Sequence, residues 1–167
     1  ELSRRFGKLP LTEVLAPAIE YADRGYPISA GNYWGRAYEI FKTELVGEPF
    51  HEWFHTFTHN GNVPKIGELF RLPDHAKTLT SIAETNAEAF YRGELAERID
   101  RFSRQYGGFL RKEDLEAFRP EWVEPISVNY RGYDIWEIPP NGQGLVTLIA
   151  LNILKGFDFA EIGRAHV

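Results

Sequence analysis

Three of the chain's five histidines stand four residues apart in the segment HEWFHTFTHN, at His51, His55 and His59. On an α-helix that interval stacks side chains along one face. The first five letters read H-E-x-x-H, a spacing that lets two imidazoles hold a zinc ion while Glu52 acts as general base on a bound water. The chemistry implied is metal-assisted hydrolysis. It requires a third protein ligand and an open coordination position. In the extended form of this pattern a glycine follows the first histidine by seven residues and a histidine by ten; Thr58 and Gly61 stand there instead. Glu84 or Glu88 would be carboxylate alternatives, but no spacing specifies either. Pro49 and Gly61 confine the helix to about three turns, and Trp53, Phe54 and Phe57 supply it with an apolar face. The reading adopted is therefore a short amphipathic surface helix over residues 51 to 59. His51 and His55 are rejected as metal ligands.

A second candidate lies in PPNGQG. Asn141, Gly142, Gln143 and Gly144 follow one apolar run and open another, where free backbone N–H groups and two side-chain amides could meet a ligand. Asn141 and Gln143 are the substrate-loop candidates. Turn chemistry accounts for the same residues: the prolines end a strand, Asn141 caps the helix, and the glycines allow tight packing. That simpler account is preferred. Arg4, Arg5, Arg36, Arg71 and Arg92 are read as solvated or ion-paired, since no spacing singles one out.

The elements that must position these residues are legible from periodicity. LPLTEVLAPAIEYADRGYP predicts a helix capped by Thr12, with Pro17 inside it and Gly25 ending it. A second helix is expected after Ser29, with Tyr33, Trp34, Ala37, Ile40, Phe41 and Leu45 inward. LPDHAKTLTSIAE predicts a third, opened by Asp74. The stretch from Asn86 to Gly108 predicts a helix pair or one interrupted helix. RKEDLEAF predicts a short helix with a frayed start, because Arg111 or Lys112 stands where a Ser or Thr cap is favoured. The period then changes to two. Val123–Tyr130 and Tyr133–Ile138 predict a β-hairpin turning at Arg131 and Gly132, in a sheet covered on both faces. LVTLIALNILKG predicts a helix apolar almost all round and hence deeply packed.

The 167 residues are 43% hydrophobic and carry a net charge of −5. This size fits one domain with a sizeable core and excludes the basic footprint of a nucleic-acid binder. Cysteine is absent, so disulfides and thiol catalysis are excluded. The longest apolar run, LVTLIAL, is far short of a membrane span. The chain opens on Glu1, and EIGRAHV at residues 161–167 reads like a translated adapter oligonucleotide. Residues 1–160 are taken as one incomplete domain and 161–167 as a non-native tail.

Four blocks occur in order along residues 6 to 158: GKLPLTEVLAPAIEYADRGYPIS, LPDHAKTLTSIAETNAEAFYRGELAERI, GGFLRKEDLEAFRPEWVEPISVNYRGYDIWEIPPNGQG and LNILKGFD. Together they resemble the later part of the large chain of the gamma-glutamyltranspeptidase family. PPNGQG is similar to the acylase-like bacterial branch. The resemblance implies an α+β fold, a fragment of a four-layer αββα N-terminal-nucleophile hydrolase. It implies a precursor that cuts itself to free a threonine nucleophile on a small chain, the partner of this one. It also implies a small γ-glutamyl or related acyl amide as substrate, and no metal or organic cofactor. By the same resemblance the nucleophile belongs beyond Phe159 and the substrate-carboxylate arginine upstream of Glu1, so no catalytic residue is assigned here. The compartment stays open between bacterial cytoplasm and periplasm or secretion. Two alternatives remain: a zinc metallopeptidase using HEWFH, and a non-enzymatic helical interaction domain.

Overall fold

A computed structural model describes residues 1–29 and 34–159. Tyr33, expected on an inner helix face, and the tail at 161–167 lie outside the described residues. The chain forms two compact units, Glu1–Phe118 and a second beginning at Arg119. The fold is α+β, mostly helical with two small antiparallel sheets.

The first unit comprises α1 (Leu2–Phe6), α2 (Leu11–Arg24), β1 (Tyr26–Pro27), α3 (Trp34–Glu44), a 3-10 turn (Glu48–Phe50) running into α4 (His51–Phe57), β2 (Leu69–Phe70), α5 (Pro73–Glu84), α6 (Glu88–Tyr91), α7 (Glu94–Gln105) and α8 (Lys112–Ala117). The cap of α2 is Pro10 rather than Thr12, and the helix runs through Pro17. Proline's fixed φ and missing N–H suit an opening position, where no intrahelical acceptor is needed. For the same reason Pro73 takes the first turn of α5 one residue before the expected opener, Asp74.

Alanines seat α2 against α5. Ala22, Ala76 and Ala83 are buried, and small side chains let the two helix backbones approach closely. Gly25 then ends α2 at φ 95°, a conformation that costs other residues. A Cβ there would stand 3.0 Å from Arg71 Cγ and 3.1 Å from the Phe70 carbonyl oxygen. That room admits the pairing of β1 with β2, Tyr26 opposite Phe70 and Pro27 opposite Leu69. Ile28 extends the ladder, donating to the Glu68 carbonyl at 2.9 Å and accepting from Gly67 N–H at 2.8 Å. Phe70, only 1% exposed, is the centre of this core, with the Trp34 ring edge-on at 4.6 Å.

The frayed start expected for α8 is not found. The Asp114 carboxylate accepts the Arg111 N–H at 2.8 Å, while Arg111 Nη1 donates to Ser103 Oγ and to the Gly108 and Leu110 carbonyls. The Asp114 carboxylate thus secures the start of the helix from its third position, while the Arg111 cation ties the preceding loop.

In the second unit β3 (Ile126–Tyr130) and β4 (Tyr133–Glu137) pair antiparallel, with Val128 opposite Ile135. Both strands are shorter than expected, starting at Ile126 and ending at Glu137. Arg131 and Gly132 turn the hairpin with φ of 52° and 87°; positive values at both central residues mark a type I′ turn. Helix α9 (Gly144–Leu154) packs on the hairpin through buried Leu148. The deep packing expected of α9 is absent among the described residues: Val146 and Ile153 are each 61% exposed. One small hairpin can cover only one stripe of a helix that is apolar all round.

Candidate functional site

Helix α4 stops at Phe57. Thr58 has extended backbone, and its hydroxyl donates to the Phe54 carbonyl at 2.6 Å. His59 therefore leaves the helix and joins a tight turn, exchanging backbone hydrogen bonds with Asn62 at 2.8 and 2.9 Å. The expected helix over 51–59 ends two residues early. His51, His55 and His59 share no helix face, because Asn60 and Gly61 take the positive φ (51° and 77°) that reverses the chain.

The apolar face behaves as the sequence indicates. Trp53, Phe54 and Phe57 are half-buried, in edge contact with Phe41 at 5.0 Å, Tyr38 at 6.2 Å and Trp34 at 5.9 Å respectively. His51, Glu52 and His55 face outward. His55 Nδ1 lies 3.8 Å from Glu52 Oε2, so the would-be base sits beside the would-be ligand in open solvent. Among the described residues no group of three or more His, Asp or Glu is arranged to hold a metal ion. Of the nominated third ligands, Glu88 pairs at 2.8 Å with Arg92, the residue that follows its own helix. Glu84 lines a different surface, between α2 and α5.

His59 has a partner that sequence spacing did not suggest. Its Nδ1 lies 2.5 Å from Glu68 Oε1, and its ring stacks on Phe70 at 5.0 Å. Glu68 Oε2 also accepts the Lys65 N–H at 2.7 Å. That backbone donor first, and His59 second, hold the Glu68 carboxyl below the usual carboxylate range. His75, on α5, meets Phe57 edge-on at 5.9 Å. The signal missed was the turn between His59 and Glu68, which is set by left-handed residues rather than by a repeating period.

The loop before α9 exposes Asn141 and Gln143. Asn141 does not cap the helix. Gln143 holds that position without a side-chain bond, and its carbonyl accepts from Val146 and Thr147 N–H at 3.0 and 3.4 Å. The N–H groups of Gly144 and Leu145 open the helix with no acceptor inside it. Gly144 is required for packing: a Cβ there would stand 2.7 Å from Glu137 Cβ. The loop is therefore pressed onto the end of β4 with two amides facing outward.

Comparison with known proteins decides the family. The model of the Gamma-glutamyltranspeptidase family matches residues 1–166. This chain belongs to the gamma-glutamyltranspeptidase family. A glutathione hydrolase-like proenzyme of Bacillus subtilis (strain 168) is 39% identical over 159 residues, covering 95% of this chain and 30% of the relative. Cephalosporin acylase from Bacillus halodurans superimposes with a TM-score of 0.92 at 55% identity, over 98% of this chain and 31% of that one. Helicobacter pylori gamma-glutamyltranspeptidase gives 0.86 at 30% identity, over 99% and 47%. This transpeptidase-family chain thus spans less than a third of the length of the curated relatives it matches. The higher identity to an acylase agrees with the acylase-like branch read from PPNGQG. The fold is that of a portion of an N-terminal-nucleophile hydrolase of the transpeptidase and acylase kind.

Proposed function

We propose that these residues are large-chain scaffold of an enzyme that transfers or hydrolyses γ-glutamyl or related acyl amides. The supporting observation is the family match over residues 1–166, together with relatives named as glutathione hydrolase and acylase proenzymes. The nucleophile is a threonine beyond Phe159, exposed when the precursor divides into this large chain and a small one. Its hydroxyl attacks the amide carbonyl, its own freed α-amine takes the proton, and backbone N–H groups stabilise the oxyanion. Water or an acceptor amine then resolves the acyl-enzyme. No metal or organic cofactor enters these steps.

Within this chain the residues assigned to the substrate side are Asn141 and Gln143. Their exposure at the opening of α9 supports that role. The present residues alone are inactive, because an activated threonine needs its own amine within hydrogen-bond reach.

The test uses the whole polypeptide. It should split into two chains and then turn over a γ-glutamyl or acyl anilide, and replacing the new N-terminal threonine by alanine should abolish both. His51→Ala and Glu52→Ala should leave both intact. Loss of turnover in that pair, with folding preserved, would return the zinc metallopeptidase reading to first place.

A further inference from the structure

The loop from α7 to α8 holds one side chain out to solvent and fixes the backbone on both sides of it. Phe109 is 95% exposed, more than any other large apolar residue among the described residues. Arg111 Nη1 donates to the Gly108 carbonyl at 2.8 Å and to the Leu110 carbonyl at 3.0 Å, so one guanidinium grips the chain before and after Phe109. The same nitrogen reaches Ser103 Oγ on α7 at 3.1 Å, and Gly108 N–H donates to the Ser103 carbonyl at 2.7 Å. These bonds tie the loop to α7, and the Arg111 N–H on Asp114 at 2.8 Å ties it to α8.

Phe109 forms one wall of an open apolar groove of about 620 Å³. Leu95, Ile99 and Phe102 of α7, Phe90 of α6 and Leu110 form the rest of its apolar lining. Leu95 is buried, while Phe102 and Leu110 are 48% and 46% exposed, so the groove opens from the core to the rim. Apolar surface presented in this way gains free energy on being covered. A large apolar side chain of a partner fits the groove, and Phe109 in turn projects into that partner. An aromatic anchor beside a pocket, on a loop already ordered, concentrates binding energy at an interface.

We propose that Phe109 and this groove form a docking surface for the small chain of the same precursor. The inference rests on the reading that the precursor divides in two. Two considerations favour that occupant. The chain spans 30% and 27% of two curated relatives, both named proenzymes, so in a protein of that length more than two-thirds of the polypeptide is available to cover this face. After division, moreover, the backbone no longer holds the small chain in place, and its retention depends on non-covalent contacts alone. A rigid apolar anchor serves such a chain, because little ordering entropy is lost when it docks. A segment still joined to the large chain has no such need.

The probe is p-benzoylphenylalanine placed at position 109 of the whole polypeptide, a photoreactive substitute that keeps the aromatic ring. The divided protein is irradiated, its chains are separated in denaturant, and the adduct is sized by mass spectrometry. The expected product has the summed mass of the large and small chains. An adduct within the large chain would assign the groove to that chain's own remaining residues, and an adduct of two large chains would assign it to a second copy. Either result, or no adduct at all, overturns the proposal. Phe109→Ser should release the small chain in dilute urea about tenfold faster or more. Phe109→Leu, which keeps an apolar anchor, should release it markedly less, and Ile66→Ser, at an exposed apolar residue outside the groove, should change nothing. Unaltered release from Phe109→Ser also refutes the docking surface. A polypeptide that fails to divide refutes the acyl-transfer reading as well, whereas a divided, active enzyme with its adduct elsewhere refutes the docking surface alone.

Discussion

Replacing Phe70 by alanine should be among the most damaging changes in the first unit. The ring is 1% exposed and lies 4.6 Å from Trp34 and 5.0 Å from His59, so its removal leaves a void that neither partner is free to fill. Trp34 is tied by its indole N–H to the Phe57 carbonyl at 2.8 Å, and His59 is held by Glu68. A large-to-small change at such a site costs about 3–5 kcal/mol, transfer and cavity terms together. Of that, about 0.5–1.5 kcal/mol belongs to each aromatic pair. The loss is a large fraction of the roughly 5–15 kcal/mol that holds a typical domain folded. Urea unfolding followed by tryptophan fluorescence, which Trp34 reports from within van der Waals reach of the change, should show a midpoint lowered by about 1–2 M for a chain of this size. Phe70→Leu, which keeps most of the volume, should lose markedly less. A midpoint unchanged by Phe70→Ala would refute the placement of this ring at the centre of the core.

Three other outcomes are expected. Glu68 has its folded carboxyl pKa lowered, so its contribution is present above the ordinary carboxylate value near 4.3 and fades as pH falls through the folded value; Glu68→Gln should therefore reduce stability at pH 7 and flatten the acid limb of a pH–stability curve, and an unaltered acid limb would count against the His59–Glu68 pair. Gly144→Ala should destabilise the second unit by about 1–3 kcal/mol despite alanine's better helix propensity, because its Cβ meets Glu137 at 2.7 Å; a neutral or stabilising effect in thermal unfolding would show that the loop is free to move. The isolated 167-residue chain should self-associate with rising concentration, since Trp136, Ile138, Val146, Ile149 and Ile153 are all more than half exposed; sedimentation showing a stable monomer at high concentration would contradict this, and Ile149→Lys should reduce the association.

Local chemistry alone determined the helices with a long apolar period and the hairpin. α2, α5 and α7 were legible because each repeats its apolar residues every three to four positions. β3 and β4 were legible because alternation brackets an Arg-Gly pair. Even the rejection of the H-E-x-x-H reading came from neighbours along the chain: Thr58 and Gly61 where a ligand set needs other residues, and aromatic residues claiming one face of α4. What the sequence could not show was set by partners distant in the chain. The pairing of Tyr26 with Phe70 and Pro27 with Leu69 joins residues 44 and 42 positions apart through strands of two residues, too short to carry a period. The end of α4 at Phe57, and with it the departure of His59, depends on the left-handed turn at Asn60 and Gly61 and on the bond to Glu68. The start of α8 is fixed by the Asp114 carboxylate accepting the Arg111 backbone N–H, while the Arg111 guanidinium reaches back to the Gly108 carbonyl, a residue before the helix. The exposure of α9 is the plainest case, since a sequence fixes how apolar a helix is while only its neighbours decide how much of it is covered. Periodicity is a property of consecutive residues and survives in the bare string. Burial, ion pairing and the meeting of His59 with Glu68 and the Phe70 ring are properties of separations in space, and those exist only once the chain has folded.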